Sequence, residues 1–328
     1  ARLYRVCGNK TKKCYLMKIK KIGILGARGY VGNEVLNLLS QHPKVHIHSI
    51  FSRSKCGEKI EINPTSSLIY KDLSIENLEL ESEDAFILAL PNGEASKYVN
   101  AIHKHNPEAI ILDLSSDYRF DDTWSYRIPE LHNPISGTKI SNPGCYATAM
   151  QFMVTPLKDI IIDYVNFFGI SGHSGAGATP NSRNDKQLLS DNVIAYSLVD
   201  HLHEREVKKH CYEKILFTPH VAEFFRGILM TGNFFLTQST SISKIKQLFE
   251  TFYVNHKLIQ IQTSAPNLQQ VRDTSKVIIG GFEFDTKLNR LSFCCVIDNL
   301  LKGAATQAIQ NLNSAFGFED NLGIIKSN

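Results

Sequence analysis

Residues 20–39, KKIGILGARGYVGNEVLNLL, constrain the possible folds more than any other stretch of the chain. An apolar run holding Ile22, Ile24 and Leu25 has strand character, a glycine-rich turn follows it, and Val35, Leu36, Leu38 and Leu39 recur behind at helical spacing. The spacing predicts strand, loop and helix in succession. Gly26, Gly29 and Gly32 form GxxGxxG, which lets backbone N–H groups approach a pyrophosphate at the helix N-terminus, where the dipole favours an anion. Tight packing without a ligand is the competing reading of the same glycines. Three further apolar runs extend the pattern: VHIHSIF, then DAFILALP at 84–91, then AIILDLSSD at 109–117. Together they predict a doubly wound parallel sheet of Rossmann type, an α/β fold. The second strand ends in Ser52-Arg53-Ser54, with no Asp or Glu to grip an adenosine 2′-hydroxyl. A guanidinium beside a hydroxyl suits a 2′-phosphate, so NADP is expected rather than NAD.

The texture changes from Ser141 onward. NPGCYATAM opens a helix, and YVNFFGISG (164–172), GILMTGNFFL (227–236), KVIIGGFEF (276–284) and LSFCCVID (291–298) read as strands of a mixed or antiparallel sheet. Residues 300–316 read as a final amphipathic helix. The expected division is a basic N-terminal extension over 1–17, a dinucleotide-binding domain over 18–143, a catalytic and oligomerisation domain over 144–299, and a last segment, 300–328, returning to the first domain. At 328 residues with 43% hydrophobic and 21% charged side chains, the chain can bury two such cores. Seven cysteines at irregular spacing, without CxxC, argue against a disulfide scaffold or a Cys/His metal site. No run approaches the length of a membrane span, so a soluble protein is expected. The net charge of +4 comes from residues 1–21, which hold eight Lys/Arg and no Asp/Glu; beyond them 28 basic face 32 acidic residues. No basic stripe with interleaved aromatics exists, which sets nucleic acid aside.

Cys145 follows Asn142-Pro143-Gly144 and stands where a helix begins, a position that stabilises thiolate, the species that attacks an acyl carbon. An inert buried cysteine is the alternative. In DHLHEREV, His203 and Glu206 are three apart and share a helical face, so the carboxylate is expected to orient the imidazole and raise its pKa. His201 and His203 also have HxH spacing, but no further ligand cluster accompanies them and no metal is expected. The glycines of SGHSGAG (171–177) can shape backbone around a cofactor. Ser115, Asp117 and Arg119 follow a strand's C-terminal end, where open α/β sheets bind ligands; Arg119 either holds a substrate anion or pairs with Asp117.

The series GARGYVG, ALPNG, DLSSDYRF, NPGCYATAMQ, SGHSGAG, HLHEREV, FTPHVAEFFRGI and IDNLLKGAATQAIQN, running in that order across roughly residues 20–320, resembles the N-acetyl-gamma-glutamyl-phosphate reductases. The resemblance implies an NADP-binding Rossmann domain, an inserted α+β catalytic domain with a mixed sheet, and a homo-oligomer, a tetramer or dimer. It puts the nucleophile on Cys145, the catalytic histidine on His203 and its accompanying glutamate on Glu206. Cofactor contacts fall on Gly26, Arg28, Gly29, Tyr30, Val31, Gly32, Ser52, Arg53, Pro91, Ser174, Gly175, Ala176, Gly177 and Asn299, and substrate contacts on Ser115, Arg119 and Asn142. It further implies NADPH-dependent reduction of an acyl phosphate through a Cys145 thioester, in arginine biosynthesis. Fungal members join an upstream acetylglutamate kinase and are mitochondrial, which the basic leader would fit; a cytoplasmic enzyme beginning at Met17 is the primary expectation. The chain departs from the family at Arg205, where proline is usual, at His173 and at Arg127. Rival readings are an aspartate-semialdehyde or aminoadipyl-phosphate type reductase, and a nucleotide-sensing Rossmann protein without catalysis.

Overall fold

The computed structural model of the chain describes residues 19–63, 66–78, 82–135 and 137–325; the basic segment expected over 1–17 lies outside the described residues. Strand β1 (Lys20–Leu25) runs into helix α1 (Tyr30–Ser40), which returns the chain to β2 (Val45–Phe51). A hairpin of β3 (Lys59–Asn63) and β4 (Ser66–Ile69) and the single turn α2 (Ile75–Leu78) precede β5 (Ala85–Leu88), α3 (Ala95–His105) and β6 (Ile110–Asp113). The short strands β7 (Ser125–Tyr126) and β8 (Lys139–Ser141) complete a six-stranded sheet of order β2-β1-β5-β6-β8-β7. Every pairing in it is parallel, as the sequence predicts. From β1 the chain steps out to β2 and then back across to β5, and that reversal opens a crevice past the C-terminal ends of β1 and β5. Helix α1 packs by Val35, Leu36 and Leu39, each worth ~1.5–3 kcal/mol when fully buried.

Helix α4 (Cys145–Val154) opens the second unit, followed by β9 (Val165–Gly172), the turn α5 (Lys186–Leu189), β10 (Val193–Ala195), α6 (Leu202–His210), β11 (Ile215–Ala222), β12 (Ile228–Phe235), α7 (Ile242–Phe252), β13 (Ile259–Ile261), β14 (Val277–Asp285) and β15 (Arg290–Ile297). Its seven strands lie in the order β10-β11-β9-β12-β15-β14-β13. β9 runs parallel to β11 and antiparallel to β12, so the sheet is mixed. Alternation along β12 buries Ile228, Met230 and Phe234 beneath α4 and α7, in one aromatic-rich core with Phe152, Phe217, Phe249 and Phe293. The outward positions are only partly covered: Phe168 on β9 is 44% exposed and Leu216 on β11 42%. No helix of the described residues is long and apolar enough to cross a membrane.

Beyond β15 the chain makes a π-helical turn, Leu301–Ala305, and then α8 (Thr306–Ala315). Ala305, Ala308, Ile309 and Leu312 join Ile22, Ile24 and Val35 in the core of the first sheet, so the chain's end closes back on its beginning. The sequence pattern predicts one amphipathic helix here, and the structure differs. Its polar residues Thr306, Gln307, Gln310, Asn311 and Asn313 are buried as well, because the helix is wedged between the two units and its amides find partners there.

Candidate active site

The glycines of the first loop do different work. Gly26 has φ +80°, and a Cβ there would lie 2.2 Å from the Ala89 carbonyl oxygen; one on Gly32 would lie 2.5 Å from the Gly26 oxygen. Both are packing requirements of the loop. Gly29, the N-cap of α1, faces open space apart from one contact at 3.5 Å, and no side chain caps the helix. Its N–H groups therefore meet the cleft bare, as the pyrophosphate of a dinucleotide requires. Gly26, Arg28, Tyr30, Val31, Ser52, Arg53 and Pro91 line a cleft of about 900 Å³, and Ser174, Gly175, Ala176, Gly177 and Asn299 face it from the second unit. Asn299 pins that second loop: its amide donates to Ser174 Oγ (3.0 Å) and accepts from the Gly227 N–H (2.7 Å). The Arg53 guanidinium is engaged by the Glu94 carboxylate and by the Tyr98 hydroxyl (3.1 Å), partners that lie 41 and 45 positions away in sequence.

Cys145 is the first residue of α4 and lines the same cleft, partly exposed. The backbone beneath it is crowded. A Cβ on Gly144 would strike His203 Nε2 at 2.2 Å and Arg119 Nη1 at 2.6 Å, and one on Gly303 would strike Cys145 Cβ at 2.7 Å. Glycine at these two positions is what lets imidazole, guanidinium and thiol converge. Arg119 is held by three acceptors: Asn142 O (2.9 Å), Leu114 O (3.1 Å) and Glu206 Oε2 (3.1 Å).

Three sequence-based expectations need correction. Glu206 does not orient His203. Its fully buried carboxylate accepts from the Gly144 N–H (2.7 Å), the Tyr126 hydroxyl (2.8 Å) and Arg119, while His203 Nδ1 is buried with no partner among the described residues. The histidine pKa is lowered, not raised: burial pushes it well below its usual value, and the nearby charges of His201, Arg119 and Arg183 push the same way. The Cys145 thiol, expected to be lowered by the helix N-terminus, is instead pushed up to about 11 by burial, against the pull of Arg119 and the Tyr146 N–H. Desolvation of a charged sulfur outweighs half a unit of helix-dipole charge when both act on one atom.

Two substrate candidates are occupied elsewhere. Ser115 does not line the cleft; its hydroxyl donates to Asp113 Oδ2 (2.7 Å) and accepts from the Asp117 N–H (3.1 Å). The Asn142 side chain donates to Ala304 O (3.3 Å) and accepts from Asn311 Nδ2 (3.2 Å), tying the approach to α4 to the last helix. Asp117 accepts from the backbone of Gly93 (2.6 Å) and Ala95 (3.1 Å) at the start of α3, so Arg119 pairs with Glu206 and not with it. His201 is the N-cap of α6, its ring accepting from the His203 N–H at 3.1 Å. Tyr126, Arg183 and Tyr196 belong to the site, and sequence reasoning missed them. Tyr126 meets Glu206 across 80 positions, and Arg183 meets the Tyr196 ring from the far side of α5 and β10, so no local pattern marks them.

This combination of a dinucleotide crevice, a mixed-sheet second unit and a thiol at their junction is the build of the semialdehyde dehydrogenases. Residues 21–136 match the family model described as semialdehyde dehydrogenase, NAD binding domain, and residues 145–299 match the one described as semialdehyde dehydrogenase, dimerisation domain. Aspartate semialdehyde dehydrogenase II from Vibrio cholerae shares the fold at TM-score 0.77 and 17% identity, covering 92% of this chain and 99% of that one. The Candida albicans aspartate semialdehyde dehydrogenase with NADP superposes at TM-score 0.72 and 17% identity, over 93% and 100% of the two chains. Within that class, the N-acetyl-gamma-glutamyl-phosphate reductase of Xanthomonas campestris is 42% identical over 304 residues, 91% of this chain and 96% of the relative. That of Xylella fastidiosa is 44% identical over 304 residues, 91% and 93% of the respective lengths. The chain belongs to the N-acetyl-gamma-glutamyl-phosphate reductase family. The mitochondrial protein arg-6 of Neurospora crassa is 41% identical over 315 residues, but the match spans only 36% of that longer protein.

Proposed function

We propose that the chain reduces N-acetyl-L-glutamyl 5-phosphate to N-acetyl-L-glutamate 5-semialdehyde and phosphate with NADPH, in arginine biosynthesis. The observation that carries the reading is a helix-N-terminal thiol opening, beside a neutral imidazole, on the same cleft as a bare glycine cradle. His203, neutral at physiological pH, takes the Cys145 proton as the sulfur attacks the acyl carbon. The C–S bond of a thioester forms, the C–O bond to phosphate breaks, and the imidazolium protonates the departing phosphate. A nicotinamide dinucleotide supplies the hydride when bound. As the resulting hemithioacetal collapses to the aldehyde, the thiolate regains a proton through His203 from solvent, so one proton is consumed per turnover. Arg119 and the first N–H groups of α4 stabilise the charge on sulfur. Glu206 is a positioning residue, fixing Arg119 and the Gly144 backbone.

The preference for NADPH rests on Arg53 and Ser52, with the 2′-phosphate taking over the guanidinium that Glu94 holds in the free protein. The half-open face of the mixed sheet, around Phe168 and Leu216, is the surface through which a second copy would pack. The test is phosphate-dependent reduction of NADP by the purified chain, comparing N-acetylglutamate semialdehyde with aspartate semialdehyde. The former should be preferred, and Cys145→Ser should lower kcat by at least ~100-fold while NADPH still binds. Preference for aspartate semialdehyde, or a Cys145→Ser variant near wild-type rate, would reject this reading.

A further inference from the structure

We propose that Arg183 anchors the α-carboxylate of the substrate, an assignment that rests on the reaction proposed above. Arg28, Arg53, Arg119, Arg183 and Arg205 line the cleft. Arg28 lies in the glycine loop and Arg53 directly behind β2, at the dinucleotide end. Of the other three, Arg119 pairs with Glu206 at 3.1 Å in a buried contact, and the half-exposed Arg205 lies 3.7 Å from Asp200. Arg183 is half-buried and has no carboxylate partner among the described residues. Its guanidinium lies over the Tyr196 ring, 5.1 Å from the centroid. A half-buried guanidinium without a carboxylate partner, facing a cleft, is a fork awaiting a planar anion.

The turn that carries Arg183 is braced. Asn181 Oδ1 accepts from the Arg183 N–H (2.9 Å), and Asn181 Nδ2 donates to Ala176 O (3.2 Å) and Thr179 O (2.8 Å). Asn184 Nδ2 donates to Gly177 O (2.9 Å) and Thr179 O (2.8 Å), while Asn184 Oδ1 accepts from the Asn181 N–H (2.8 Å). Two asparagines thus lock the arginine to the end of the glycine-rich 174–177 loop. From Tyr196 a series of rings leads inward: Tyr196 to His201 at 5.6 Å and His201 to His203 at 5.0 Å.

That geometry separates the two cations by role. Arg119 Nη1 crowds Gly144, next to the thiol, where the phosphate must leave. Arg183 stands behind the aromatic rings, away from the reacting atoms. The substrate carries its second anion four bonds from the acyl carbon, ~5 Å along an extended chain, so a cation other than the one beside the thiol must receive it. Its α-carboxylate is planar and takes both prongs of a guanidinium; the chemistry predicts a substrate that is an acyl phosphate bearing a distal carboxylate.

The reverse reaction tests this because it offers aldehyde and phosphate as separate substrates. Arg183→Gln should raise KM for N-acetylglutamate semialdehyde by about tenfold or more, with KM for phosphate and kcat changed by less than ~threefold. Unaltered NADPH binding would report an intact fold, and Arg183→Lys should recover part of the loss. The second arm uses 4-acetamidobutanal, the aldehyde lacking the carboxylate. Wild type should use it as poorly as Arg183→Gln does, since neither can form the contact. A rise in KM for phosphate instead, an unchanged KM for the semialdehyde, or an equal loss on 4-acetamidobutanal would each overturn the assignment. Wild-type enzyme without phosphate-dependent turnover of the semialdehyde would overturn the reaction and this assignment together, whereas wild-type turnover with a silent Arg183→Gln overturns the arginine alone.

Discussion

A thiol titrating near 11 is almost wholly protonated at neutral pH, so Cys145 of the free protein is a latent nucleophile rather than a standing thiolate. The sign follows from the cause. Burial penalises the charged sulfur, and the neutral His203 beside it keeps one ring N–H and one free lone pair, so it offers a base but no positive charge to hold a thiolate. Iodoacetamide alkylation of Cys145, followed by peptide mass spectrometry on the ligand-free protein, should rise roughly tenfold per pH unit from pH 7 toward pH 10, tracking the thiolate fraction. A rate already flat at pH 7 would mean that Arg119 and the helix terminus overcome burial. The arrangement delays activation until the substrate is present, when attack and proton transfer to His203 can occur together.

At the scale of elements, the π-helical turn Leu301–Ala305 joins the mixed sheet to the last helix, and Lys302 in it is fully buried. Its ammonium donates to both oxygens of Glu130 (2.8 and 2.7 Å) and to Gln310 Oε1 (2.6 Å). Burial drives the Glu130 carboxyl up, but Lys302, together with hydrogen bonds from Gln310 and the backbone, outweighs it and holds the group below its usual value. Removing one partner leaves a buried uncompensated charge. Lys302→Met should therefore cost ~3–5 kcal/mol in urea unfolding, and the pair Lys302→Met with Glu130→Leu should recover most of that. A single variant as stable as wild type would show that Glu130 finds water or another cation. The turn also sets the site: Asp298 accepts from the N–H groups of Leu300 (2.9 Å) and Leu301 (3.1 Å), which fixes Gly303 against Cys145.

At the scale of the whole molecule, the open face of the mixed sheet is where a second copy would be felt. Phe168→Asp places a charge in that face without touching the core below, and it should shift the sedimenting species toward monomer while NADPH binding persists. An unchanged sedimentation coefficient would move the interface elsewhere. The parallel sheet, the strands β9, β12, β14 and β15 and the helix that begins at Cys145 were legible because each rests on local periodicity or on a glycine or proline at a fixed offset. Strand β11 was not, since Pro219 interrupts its pattern; the proline is tolerated because β10 pairs only with His220–Ala222 and ends before reaching it. The site divided along the same line. Cys145, the glycine loops and Arg119 could be named from sequence because their chemistry lies in short runs. Which cation Glu206 neutralises, what holds Arg53, and where the Tyr126 hydroxyl and the Arg183 guanidinium fall were decided only by tertiary packing, which brings Arg53 to Glu94 across 41 positions and Arg119 to Glu206 across 87. So was the direction of both pKa shifts at the centre: a helix terminus is written in the sequence, but the desolvation that outweighs it exists only once the two units close around the sulfur and the imidazole.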